Sequence, residues 1–134
     1  MQPQDIQIIQ FSNRSANDKK RLRRFVDFHW EHYRGDPQYV PMLDYEYLGS
    51  RLFGINGFFE PRNDFFQTAE MTWLLALRGG RVVGRCNAFV NRRHIAAWKE
   101  NVGFFGQFEC SEDEQAARTL LDTAGGWLKE RGME

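Results

Sequence analysis

Hydrophobic residues recur along this chain with two different periods, which predict a succession of strands and helices. Residues 6–11 are rich in apolar side chains and predict a short strand. From Leu22 to Tyr33 the apolar positions lie three or four residues apart, and charged residues occupy most of the other face, as in an amphipathic helix. Ser15 and Asp18 have the spacing of a capping box, so they predict where this helix begins.

The middle of the chain predicts a second helix and then three more strands. Residues 43–53 have apolar side chains at helical spacing, although Gly49 weakens the prediction. The strands are expected at residues 71–77, 81–93 and 102–110. Gly79 and Gly80 join the first two of them, and this pair favours a tight hairpin turn.

A last helix follows the fourth strand. Ser111 and Glu114 have the spacing of a second capping box, and apolar residues then recur at helical spacing from Ala117 to Leu128. The order of elements predicts an α+β fold with a mixed or antiparallel sheet of about four strands, and with helices after the first and the fourth strand.

Length and composition indicate one domain, residues 1–134, with a substantial core, since 15% of the residues are aromatic. The 18 basic and 18 acidic residues cancel, so net charge gives no argument for a polyanionic partner. The only cysteines, Cys86 and Cys110, do not form a disulfide framework and are expected to be small buried side chains.

The sequence also bears on where the chain resides. The first ten residues lack a basic region followed by a long apolar run, and no stretch approaches the length of a membrane span. We therefore expect a cytoplasmic protein without a membrane partner.

Five sequence blocks carry a resemblance to a known family. They are YRGDPQYVPML (33–43), NGFFE (56–60), VVGRCNAFVNRRH (82–94), GFFGQFEC (103–110) and LLDTAGGWLKERGM (120–133). Together they resemble a family of uncharacterised bacterial proteins that are GNAT-like, that is, related to the N-acetyltransferase superfamily. The resemblance implies the first half of that fold, N-acetyltransferase activity and acetyl-CoA as a possible cofactor.

The family's chains continue beyond the position that aligns with Met133, where further strands complete the sheet. The expectation is therefore a half-domain with weak or no activity alone. The strand at residues 102–110 would lie at the edge of the sheet with apolar groups on both faces, a composition that favours pairing with another strand. The predicted partner is a second copy of the chain or the missing C-terminal half.

The turn before the last helix departs from acetyltransferases, which place a glycine-rich loop around the cofactor's phosphates there. By resemblance, Phe108, Glu109, Cys110 and Ser111 stand at the cofactor-binding position. Here the turn is acidic from Glu109 to Glu114 and has no glycine. These acids cap the helix and complement its dipole, so they argue against a bound pyrophosphate.

Candidate site residues each have a plainer alternative. Glu109 is a candidate general base, because that role needs a carboxylate near a substrate amine; the alternative, which the sequence favours, is a strand-end residue paired with a cation. Phe58, Phe59, Arg92 and Arg93 are candidate ligand contacts, since the rings offer apolar surface and arginine recognises anions. The alternative for residues 91–94 is a solvated strand end.

Other patterns weigh less. His29 and His32 have a spacing that metals can use, but His29 lies within the apolar stripe, so no metal is expected. The basic run from Lys19 to Arg24 could contact nucleic acid, but it has no accompanying base-reading element. The function predicted is an acyltransferase-type domain. The alternatives are a non-catalytic ligand or interaction module that uses residues 58–66, and, more distantly, nucleic-acid binding.

Overall fold

The computed structural model describes residues 5–134, so the first four residues of the predicted domain lie outside the described residues. The strands are β1 (Ile6–Phe11), β2 (Ala69–Arg78), β3 (Arg81–Asn91) and β4 (Phe104–Cys110). The helices are α1 (Ala16–His32), α2 (Asp44–Leu48), α3 (Arg92–Trp98) and α4 (Glu114–Glu130), and a short 3₁₀ helix covers Asp64–Gln67. The predicted α+β class is confirmed. Within residues 5–134 no helix is both long and apolar enough to cross a membrane.

The four strands form one antiparallel sheet in the order β1-β2-β3-β4. The hairpin between β2 and β3 turns at Gly79 and Gly80, with Arg78 opposite Arg81. Both glycines have a positive φ, which suits the tight turn that joins two antiparallel strands. The predicted hairpin and the predicted adjacency of the four strands are therefore confirmed.

Helices cover both faces of the sheet, and each face has its own core. Along β2, Trp73 and Leu75 contact the α1 side, whereas Leu74 and Ala76 contact the α4 side, because successive side chains of a strand point to opposite faces. All four are fully buried. This burial on both faces explains why β2 is a continuous apolar run.

The capping box at the start of α1 is confirmed. Ser15 Oγ accepts from Asp18 N (3.1 Å), and Asp18 Oδ2 accepts from Ser15 N (3.0 Å) and from Ser12 Oγ (2.8 Å). Burial raises the pKa of Asp18, but hydrogen bonds from Ser15, Ser12 and Arg14 outweigh burial and lower it to about 2. The carboxylate therefore stays charged and anchors the first turn.

Two predictions about helices between the strands were wrong. The second helix, α2, ends at Leu48 rather than near residue 53, because Gly49 leaves the helix with a φ of 79°. Strand β3 ends at Asn91, and residues 92–98 form α3, which the sequence did not predict. Asn91 Oδ1 accepts from Arg93 N (3.0 Å) and His94 N (3.4 Å), so Asn91 ends the strand and caps a helix, and residues 92–94 are helical instead of a solvated strand end.

The predicted capping box at Ser111 was also wrong. Helix α4 begins at Glu114, and Asp113 is its cap, since Asp113 Oδ1 accepts from Ala116 N (3.0 Å). Ser111 lies before the helix, where its N–H donates to Val83 O (2.8 Å) and extends the pairing of β4 with β3. Arg78 donates hydrogen bonds to both carboxylate oxygens of Asp113, at 2.8 and 3.1 Å, and these hydrogen bonds lower the pKa of Asp113.

Candidate active site and ligand cavity

Strand β4 is irregular where it passes the middle of β3. Arg85 pairs with Glu109 but Asn87 pairs with Gly106. Two residues of β4, Gln107 and Phe108, therefore lie opposite one residue of β3, Cys86. Gln107 has a φ of 52°, a conformation that few residues other than glycine adopt. This bulge bends β4 and turns the Gln107 carbonyl toward Arg85, whose Nε donates to it (3.2 Å).

Arg85 is a buried cation that ties α1 to the sheet. Its Nη1 donates to Phe25 O (2.7 Å), and its guanidinium lies over the Phe25 ring at 5.0 Å. Burial lowers the pKa of Arg85, but arginine starts so high that it remains charged. The α1-facing side of β3 and β4 therefore carries a fixed positive charge beside the bulge.

Glu109 projects from the end of β4 toward the last turn of α1. Tyr33 Oη donates to Glu109 Oε2 (2.6 Å), and His32 Nε2 lies 3.6 Å from the same oxygen. The hydrogen bond to Glu109, with burial, raises the pKa of Tyr33 to about 12. Tyr33 therefore stays a donor at neutral pH and holds the carboxylate in place.

A second hydrogen-bonded group, centred on His29 of α1, lies next to the pair formed by Glu109 and Tyr33. His29 is buried, with Nδ1 2.8 Å from Tyr39 Oη and Nε2 3.5 Å from Asp44 Oδ1. The Tyr39 ring stacks on the Tyr33 ring at 3.9 Å, which joins the two groups. Among residues 5–134, no three histidine, cysteine or acidic side chains come together as a metal site.

A ring-lined cavity of about 350 Å³, here called the aromatic cavity, opens between α2, the loop that follows it and the bulge of β4. Its walls include Met42, Phe58, Phe59, Phe65, Phe89 and Gln107. Asn87 also lines it, and Asn87 Oδ1 is buried without a hydrogen-bond partner. Since buried polar atoms are nearly always paired, this oxygen marks a place for a donor from a ligand or a water.

The sequence-predicted ligand contacts separate into two places. Phe58 and Phe59 both line the aromatic cavity; Phe59 is buried and Phe58 is 55% exposed. Arg92 and Arg93 lie on the first turn of α3, are exposed and do not line that cavity. The structure therefore brings together the two rings but not the two arginines.

The predicted cofactor residues also face different ways. Glu109 points to the α1 side, Cys110 packs against the core under α4, Phe108 is exposed in the bulge, and Ser111 continues the pairing with β3. Sequence reasoning missed the hydrogen-bonded partners of Glu109 on α1 and the role of Asn87. Tyr33 closes the apolar stripe of the helix, and this position was the one available signal.

The start of α4 does not fit a cofactor pyrophosphate. The carboxylate of Asp113 already accepts the Ala116 N–H, and Arg78 is already bound to that carboxylate. Glu112 and Glu114 are exposed beside it and would repel a phosphate. An acid thus caps α4, but it is Asp113 and not the predicted pair of Ser111 and Glu114.

Comparison of sequences finds two bacterial relatives, and no family model matches the chain. The chain is 27% identical over 126 residues to Protein YghO of Escherichia coli (strain K12), covering 89% of this chain and 28% of that protein. It is 35% identical over 71 residues to Bacterial ceramide synthase of Caulobacter vibrioides (strain NA1000 / CB15N), covering 52% of this chain and 18% of that protein. The chain thus spans less than a third of each relative.

Comparison of structures finds two acetyltransferase folds. One is an aminoglycoside acetyltransferase from an uncultured soil metagenomic sample, with a TM-score of 0.58, 10% identity, and coverage of 96% of this chain and 73% of that one. The other is a tandem GNAT protein from the clavulanic acid biosynthesis pathway, with a TM-score of 0.61, 13% identity, and coverage of 96% and 34%. At such identities the likeness concerns the fold. The chain therefore has the N-acetyltransferase (GNAT-like) fold, as its sequence blocks indicate.

Proposed function

We propose that this chain forms the acceptor-binding part of an N-acyltransferase, in which the aromatic cavity holds an alkyl chain and Glu109 accepts a proton from an amine. The observation that carries the proposal is the position of both features on one side of the sheet. Asn87, at the cavity, and Arg85, opposite Glu109, are alternate residues of β3 and so point to the same face.

Glu109 has the surroundings that a general base needs. Its Oε2 accepts from Tyr33, whose phenol stays protonated, and His32 Nε2 lies 3.6 Å from the same oxygen. An acceptor amine must lose a proton to become nucleophilic, and a carboxylate held in a fixed position can take it. The Tyr33 bond fixes that position.

An apolar substrate fits the cavity better than a sugar or a peptide. Its lining consists largely of aromatic rings and methionines, with Asn87 as a buried acceptor for one ligand donor. The name of the ceramide synthase relative supports this choice, because a ceramide is an amide of a fatty acid and a long-chain amine.

Calorimetry with decylamine and decanol tests the proposal, since these probes share an alkyl chain and differ in charge. Phe58→Ala should weaken both by about tenfold, because each loses apolar contact worth about 1.4 kcal/mol. Glu109→Gln should weaken the binding of decylamine alone, since only the ammonium is drawn to the carboxylate.

Acetyl-CoA should not bind with micromolar affinity in the same calorimetric assay, because α4 begins with its own acidic cap.

Phe53→Ala is the matched control, because that ring is also exposed but lies outside the aromatic cavity. Equal weakening by Phe53→Ala and Phe58→Ala would contradict binding in the cavity. Equal loss of decylamine and decanol in Glu109→Gln would contradict the role of the carboxylate.

A second candidate function is a non-catalytic ligand-binding module on the same scaffold. The acidic, arginine-paired cap of α4 favours it, because that cap occupies the place where acetyltransferases hold their cofactor's phosphates. Both candidates predict binding of the alkyl probes. Formation of an amide from decylamine and a fatty thioester, abolished by Glu109→Gln, would support the enzyme over the module.

The outer edge of β4 supports an association with another strand. In the described part of the chain, β4 pairs with β3 alone, while Phe105 is 58% exposed and Phe108 in the bulge is 36% exposed. Apart from its bulge, β4 lacks the usual protections of an edge strand, since it contains no lysine or proline and carries exposed rings, a composition that favours pairing. The occupant proposed for this edge is a second copy of the chain.

Light scattering at micromolar concentration should show a dimer if a second copy covers this edge. Phe105→Lys should raise the dimer dissociation constant at least about tenfold, since it places a charge in the contact. Phe53→Lys, which changes an exposed ring elsewhere, should leave it unchanged. A monomeric wild type would contradict the dimer.

A further inference from the structure

A second cavity shares Phe59 with the aromatic cavity, and we call it the basic cavity. It has a volume of about 510 Å³ and opens between the first half of α1 and the loop that follows α2. Five basic side chains and one acid line it, namely Arg14, Lys19, Arg23, Arg51, Arg62 and Glu60. Because the whole chain carries balanced charge, this clustering is a local property of the fold.

Glu60, the one acid that lines this cavity, already accepts hydrogen bonds from its own loop. Glu60 Oε2 accepts from Gly57 N (3.1 Å) and from Arg62 Nη2 (3.3 Å). Its carboxyl group also packs against Gly49, where a Cβ would come within 2.6 Å of it. Glu60 therefore holds the loop together and compensates one arginine at most.

Arg62 is paired with Glu60, and of the other four basic side chains only Arg23 has acidic partners. Arg23 forms ion pairs with Asp27 on α1 (3.9 Å) and with Asp44 on α2 (3.5 Å). Arg14, Lys19 and Arg51 have no acidic group within ion-pair distance anywhere in residues 5–134. Like charges gathered around a concave surface create a positive potential that an anion relieves.

The bottom of the basic cavity is apolar. Leu22 and Phe59 are both buried, and with Leu48 they form its floor. A site with basic side chains at its mouth and apolar side chains beneath suits an amphiphilic anion, because the anionic group contacts the cations and the apolar part contacts the apolar floor. The volume is in the range of small-molecule sites.

We propose that the basic cavity binds a phosphate group carried on an apolar body. Arginine matches phosphate oxygens with paired hydrogen bonds, and two of the uncompensated residues are arginines. The phosphate belongs either to a lipid headgroup or to a free phosphate ester. A nucleic acid fits less well, because the cavity is concave and the remaining cations of the run, Lys20, Arg21 and Arg24, do not line it.

Calorimetry with hexyl phosphate and inorganic phosphate tests the site in the full chain. Hexyl phosphate should bind about tenfold tighter than inorganic phosphate, the difference expected for about two buried methylene groups. The double variant Arg14→Gln/Arg51→Gln should weaken hexyl phosphate at least about tenfold. Lys19→Gln offers an independent second variant, since this exposed side chain lies on a different wall.

The matched control is Arg81→Gln/Arg118→Gln, which removes the same charge. These exposed arginines pair with Glu31 and Glu114 and lie outside the basic cavity. The control should bind hexyl phosphate like the wild type. Equal weakening in the control, no binding by the wild type, or equal affinity for the two phosphates would overturn the proposal.

Vesicles separate the two sources of the phosphate. Binding to phosphatidylcholine vesicles only when they contain phosphatidylglycerol, with loss in the double variant, supports a lipid headgroup. Binding of hexyl phosphate without binding to either vesicle supports a free phosphate ester. A single-stranded oligonucleotide that binds tighter than hexyl phosphate and is lost in the double variant would overturn the proposal in favour of nucleic acid.

Discussion

Replacing Phe59 by alanine should lower the free energy of unfolding by about 4 kcal/mol, as expected when a buried ring is removed. Phe59 is 5% exposed, and its ring contacts those of Tyr47, Trp73 and Phe25 at centroid distances of 5.2, 5.4 and 5.8 Å. It also stands between the aromatic cavity and the basic cavity, since it lines both. Urea unfolding followed by circular dichroism measures the loss.

The neighbouring residue provides the control for this prediction. Phe58 carries the same ring but is 55% exposed, so Phe58→Ala should change the stability by less than about 1 kcal/mol. Equal effects of the two substitutions would mean that the loop does not insert Phe59 into the core. The backbone bonds of Phe59 to Tyr47 O and Asn13 Nδ2 remain in the variant, so the loss reports on the ring.

Replacing Arg85 by alanine should cost about 3 kcal/mol or more. The change leaves a void and removes the bonds to Phe25 O (2.7 Å) and to Gln107 O (3.2 Å), the carbonyl at the bulge of β4. Arg85→Met keeps much of the volume and removes only the charge and the bonds. Its loss of stability should therefore be smaller, because apolar groups often replace buried charges well.

Arg81→Ala is the control for the buried arginine. Arg81 lies on the same strand, but its side chain is 74% exposed and its ion pair with Glu31 lies at the surface. Such pairs contribute about 0–1 kcal/mol, so the variant should unfold nearly like the wild type. If Arg85→Ala were as mild as Arg81→Ala, Arg85 would not join α1 to the sheet.

The strands and their order were predictable because their signals are local. Alternation or continuous runs of apolar residues mark β2 and β3, and Gly79 with Gly80 marks the turn between them. The capping box of Ser15 and Asp18 is likewise complete within four residues, so the start of α1 needed no tertiary information. The five blocks that resemble GNAT-like proteins added the arrangement of these elements.

The ends of several elements depended on contacts that the sequence does not show. Asn91 could continue a strand or cap a helix, and only the fold placed its oxygen on the N–H groups of Arg93 and His94. Ser111 has the chemistry of a cap, but its backbone continues the pairing with Val83 on β3, and Asp113 caps the helix instead. Local propensity cannot decide such cases, because the competing partner lies far along the chain.

For the candidate site, the sequence by itself determined which residue types were present and which strand carried them. It identified Glu109 at the end of β4 and the rings of Phe58 and Phe59, because their positions follow from alternation and composition. Only the tertiary structure brought Tyr33 to Glu109 across 76 positions and left Asn87 Oδ1 without a partner beside the rings. It also gathered Arg14 and Lys19 with Arg51 around one cavity. Charge and hydrogen bonding act through space, so these arrangements exist only once the chain has folded.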